Sequence, residues 1–151
     1  MTLSAARLVK YMGFVKLVVA GIMAMRPQVL YHSPLAKKIS ALTGLPPSDA
    51  SRAPELNQAV ACMVAAIGVG HLVAAQSGPA ALASVFALDA TWAALTLLSC
   101  LAAPRAWALG SPTLLLTACT HTVFCVTLWV LDPGLLSAAG ALLSNAAKKS
   151  A

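Results

Sequence analysis

The sequence predicts an all-α, multi-pass membrane protein, a bundle of four transmembrane helices with one proline-rich extramembrane loop. Three observations carry that expectation. Hydrophobic residues make up 60% of the 151 and charged residues only 9%, against roughly 45–50% and 25% in soluble domains. With a mean hydropathy of +0.84, the chain cannot clothe the surface of a water-soluble globule. Four apolar stretches, about 8–25, 57–75, 80–103 and 112–131, each approach the ~20 helical residues that cross a hydrocarbon layer of ~30 Å. Runs such as PTLLLTACTHTVFCVTLWVL also lack the alternation of a barrel strand. Backbone groups in lipid must bond internally, which leaves helices.

The first span, 8–25, is interrupted by Lys16. A mid-helix lysine costs about 2.5–3.5 kcal/mol on insertion, so Lys16 is expected to snorkel or to face a partner. Arg7 and Lys10 resemble the basic start of a signal peptide. However, Lys16 breaks its apolar stretch and no small-x-small site follows AGIMAMRP, so a retained helix is expected. The loop, 26–56, contains Pro27, Pro34, Pro46, Pro47 and Pro54, which forbid one long helix. Between those stops a short helix from Pro34 to Thr43 fits, with Gly44 to close it. Residues 76–79 make so short a turn that the second and third spans are expected to form an antiparallel hairpin. APRAWALGSP then links the third and fourth spans. After Asp132-Pro133-Gly134 the tail, 132–151, is too short to span and is expected along the membrane interface. The whole chain, 1–151, reads as one transmembrane domain.

The net charge of +6 would suggest nucleic acid in a soluble domain. Here the basic residues are dispersed and aromatics are only 5%, so no nucleic-acid partner is expected. Anionic lipid headgroups fit better, each juxtamembrane Lys or Arg gaining about 1 kcal/mol there. Orientation does not follow from charge. Arg7, Lys10, Lys148 and Lys149 flank one side, against Arg26, Lys37, Lys38, Arg52 and Arg105 on the other. Cys62, Cys100, Cys119 and Cys125 form no CxxC pair and read as small hydrophobes. The chain has no GxGxxG, P-loop or GxSxG motif, and its three histidines form no HExxH. No metal and no cofactor is expected.

Ionisable side chains inside the spans are the candidates for chemistry, because lipid makes them costly. Asp89 lies near the middle of the third span, with Trp92, Thr96 and Ser99 following at helical spacing. His121 lies near the middle of the fourth, with Thr117 and Cys125 a turn away on either side. Asp89 and His121 therefore sit at similar depth, where a carboxylate–imidazole pair can fix a tautomer, relay a proton or bind a headgroup. The structural alternative is that Asp89 bonds a neighbouring helix, or pairs with Lys16, to hold the bundle together. His71, in GVGHLVAAQ, lies near the end of its span. Its expected role is to cap the buried region at the interface, beside a close-packing face of Gly68 and Gly70.

The N-terminal half also carries a family resemblance. A first apolar helix ends in MRPQVLYHSPLAKKISALTGLPP and is followed by a small-residue helix with AVACMVAAIGVGHL. Over residues 4–75 this resembles the small fungal membrane proteins named for increased loss of mitochondrial DNA. The resemblance implies four helices and an endomembrane address, and no reaction; the family's third-helix features are not matched here.

Together these readings favour a small accessory or scaffold protein of an internal membrane, without clear intrinsic catalysis. Its partners would be the bilayer, and other membrane proteins or a lipophilic small molecule. The alternative is a membrane-embedded enzyme, a cyclase, isomerase or oxygenase, acting on a lipophilic substrate with Asp89, His121 and His71 as its acid and base. A proton-coupled carrier is a third class. The hydrophobic first helix favours the endoplasmic reticulum over the mitochondrion.

Overall fold

The computed structural model describes residues 3–102, 107 and 109–150. Among the described residues seven α-helices follow one another: α1 Ala5–Met25, α2 Gln28–Tyr31, α3 Pro34–Thr43, α4 Pro54–Ala74, α5 Pro79–Leu101, α6 Pro112–Leu131 and α7 Gly134–Ser150. A 3-10 turn, Ala50–Arg52, precedes α4. Helices α1, α4, α5 and α6 are long and apolar enough to cross a membrane. Residue 103, the expected end of the third span, and Arg105 lie outside the described residues.

Local chemistry sets the helix ends. Ser4 Oγ accepts from the Arg7 amide and starts α1 three residues before the expected boundary. Proline occupies the first turn of α3, α4, α5 and α6, where its missing N–H has no intrahelical partner to lose. Pro54 therefore opens α4 and shortens the loop to 26–53. Ser33 and Ser111 cap α3 and α6 through the amides of Ala36 and Leu114. Gly44, at φ +72°, closes α3 in the left-handed region.

The closest helix pairs are α1 with α4 and α5 with α6. Gly13 and Gly68 face each other in the first pair. A Cβ on Gly13 would stand 2.9 Å from the Gly68 carbonyl oxygen, and one on Gly68 would stand 3.0 Å from that of Gly13. Lipid supplies no hydrophobic drive for helix association, so such close backbone approach does the work. Although a short turn through Gly78 (φ +91°) joins α4 to α5, these two pack lightly. An apolar cleft of about 480 Å³ lies between them.

The hydrophobic core is concentrated in the half of the bundle nearer the two termini. It includes Val9 and Met12 of α1, Leu82 and Phe86 of α5, and Phe124 and Leu128 of α6. Helix α7 joins this half, burying Leu135 and Ala139 against α5. In the half nearer the 26–53 loop the buried side chains are mostly small: Ala20, Ala61, Ala93, Thr96 and Ala118, with Met23. At the start of α4, Asn57 Nδ2 donates to the Met23 carbonyl at 2.9 Å while its Oδ1 accepts from Tyr31 at 2.8 Å. That clamp fastens α2 to the end of α1 and the start of α4. Burial raises the Tyr31 hydroxyl above its ordinary value.

Candidate functional site

The fold brings together one ionisable side chain from each of the four spanning helices: Lys16, His71, Asp89 and His121. Lys16 of α1, Asp89 of α5 and His121 of α6 lie near the midpoints of their helices. His71 lies three residues before the end of α4. The Gly13–Gly68 crossing sits one turn from Lys16 and His71, and the close approach it permits lets both reach Asp89.

Asp89 is the centre of the cluster. Lys16 Nζ donates to Oδ1 at 2.5 Å, and His71 Nε2 stands 2.7 Å from Oδ2. His121 Nε2 is 3.3 Å from Oδ1. Lys16 Nζ is also 3.0 Å from His71 Nε2. Both imidazoles are anchored in the same manner, Nδ1 turned to the carbonyl four residues back: Ile67 for His71 and Thr117 for His121, each at 2.8 Å. Each ring therefore points Nε2 at the carboxylate.

Three of its four members are buried. Lys16 is 6% exposed, His71 1% and Asp89 1%, and the His121 side chain is 12% exposed. Burying one ionised carboxylate in such surroundings would cost several kcal/mol; pairing and hydrogen bonding offset that cost. The Lys16 ammonium occupies the position among the donors where a cation would sit. Among the described residues no group of three or more His, Cys, Asp and Glu side chains is arranged to hold a metal ion. Cys125 of α6 is buried nearby as a free thiol, packed into the core with Phe124. Trp92, one turn from Asp89, stacks obliquely near His121, ring centroids 6.3 Å apart. Its Nε1 is the one buried side-chain polar atom without a hydrogen-bond partner among the described residues.

The expected pairing of Asp89 with His121 and Lys16 is present. His71 differs from its expected place: it belongs to the buried centre instead of capping the interface. Because α1 overlaps α4 beyond its end, with Ala74 in the same core as Val9 and Met12, the end of α4 is internal to the bundle. The signal for His71 was its own chemistry, an ionisable residue inside an apolar span, and the same signal turns Lys16 from an interruption into a member. The remaining expected polar neighbours bond locally. Thr96, Ser99 and Thr117 each donate to a carbonyl of their own helix at 2.7–2.9 Å. Among known proteins, no family model, no curated protein and no solved structure matches this chain.

Proposed function

We propose that this chain is a small accessory or scaffold protein of an internal membrane, without clear intrinsic catalysis, its four spans locked by one buried ion cluster. The observation supporting it is that Lys16, His71 and Asp89 turn their polar atoms on one another and are almost wholly withdrawn from the surface. A catalytic acid or base must reach its substrate, and here the nitrogens and oxygens are occupied. The resemblance over residues 4–75 agrees with an endomembrane address, the endoplasmic reticulum before the mitochondrion. Partners would be other membrane proteins held against the lipid-facing sides of the spans.

One feature favours a second reading, a membrane-embedded enzyme for a lipophilic substrate. The α4–α5 cleft is walled by Ile67, Gly70, Ala81, Val85 and Leu88, and His71 contributes to its lining. An apolar slot that ends on an acid–base group suits an isoprenoid or acyl substrate, with Asp89, His71 and His121 as the catalytic set.

A paired replacement separates the two. Lys16→Met with Asp89→Leu exchanges the ion pair for apolar groups, a change that buried pairs often tolerate. In cells lacking the native chain, a scaffold keeps its role when the double variant accumulates normally in the membrane. An enzyme gives the same abundance with loss of function. Full abundance without function would overturn the scaffold.

A further inference from the structure

We infer that the cluster is a binding site for one exchangeable proton, held at His71 between Asp89 and Lys16. The inference rests on one atom, His71 Nε2. It goes beyond the scaffold proposal and does not require it.

His71 Nδ1 is 2.8 Å from the Ile67 carbonyl, an acceptor, so Nδ1 carries a hydrogen. Nε2 then has two neighbours with opposite demands. Asp89 Oδ2, at 2.7 Å, needs a proton from it; the Lys16 ammonium, at 3.0 Å, offers one to it. One ring nitrogen cannot satisfy both at once. With the proton bound, Nε2–H donates to Oδ2, Lys16 donates to Oδ1, and the three groups carry a net charge of plus one. With the proton released, the Nε2 lone pair accepts from Lys16, Nδ1–H still donates to Ile67, and the charge is zero. The two arrangements share one set of heavy-atom positions and differ by a single proton. The other titratable groups facing them are His121 and Cys125, both on α6.

His121 stands 3.3 Å from Asp89 Oδ1, and His71 itself lines the α4–α5 cleft. Binding or releasing the proton forms or breaks one N–H bond and no other.

The test uses the full-length chain, labelled with nitrogen-15 in its histidine rings and reconstituted in phospholipid bilayers. Spectra of His71→Gln and His121→Gln assign the resonances, and the native chain supplies the measurement. The expected result is a His71 ring protonated on both nitrogens at low pH, its Nε2 resonance alone shifting to the unprotonated position as pH rises. A His71 ring holding one hydrogen at every pH would overturn the proton site.

Discussion

A lysine and an aspartate survive in the middle of membrane-spanning helices here because each meets the other's charge inside the bundle. Asp89 was legible from the sequence as an inward-facing residue, since a lone carboxylate in lipid needs partners and Lys16 and His121 lie at comparable depth. His71 was not, because its depth depends on how far α4 slides along α1, and no spacing within one helix encodes that. Trp92 is the complementary case: its indole N–H has no partner among the described residues. Trp92→Phe removes no protein hydrogen bond, so it should cost less than about 1 kcal/mol in unfolding measurements, below the 1–3 kcal/mol of a stranded buried group. Asp49 supplies a residue-scale pH effect. The Ser51 hydroxyl and amide, at 2.6 and 2.9 Å, with Arg52 nearby, hold its carboxyl below the ordinary 3.8. A depressed carboxylate stabilises the fold above its unfolded value and loses that contribution as pH falls through the folded one. Protection of the Ser51 amide should therefore persist at neutral pH and vanish only below 3.8.

Among the elements, α3 matches its expected bounds of Pro34 to Thr43, because both ends are written locally in Ser33-Pro34 and Gly44. The spans were legible in number and approximate length, while their pairing was not. Sequence adjacency suggested α4 with α5, but small-residue geometry couples α4 to α1 instead. Gly68 and Gly70 looked equivalent in sequence; only Gly68 meets a backbone. Gly13→Leu or Gly68→Leu must push α1 from α4 and draw Lys16 and His71 away from Asp89. Overpacking alone costs about 1–3 kcal/mol, and opening the cluster adds to it. Gly70 has nothing within 4 Å of an added Cβ, so Gly70→Ala should be neutral or stabilise by up to about 1 kcal/mol, the helix-propensity difference. Thermal unfolding of the three variants in the same bilayer or detergent compares them directly.

At the scale of the molecule, an even number of spans puts the 26–53 loop on the face opposite both termini. Lys38→Cys and Lys148→Cys, both at exposed positions, should label from opposite sides with an impermeant thiol reagent, on a background lacking the native cysteines. Labelling from one side would break the four-span topology. The bundle is also polarised: large apolar side chains near the termini, small ones and hydroxyls near the loop, and the ion cluster between. Composition shows neither half, because both draw on the same apolar alphabet; the division emerges only when four helices are set side by side. The most direct test of a cluster that binds the spans together is a double-mutant cycle on the unfolding free energy of the reconstituted chain. Lys16→Met and Asp89→Leu should each lose about 3–5 kcal/mol by leaving an unpaired buried charge. The double variant should recover much of that loss, a coupling near the upper end of the 0.5–3 kcal/mol range for contacting pairs. Losses that add to within about 0.5 kcal/mol, as independent sites do, would contradict it.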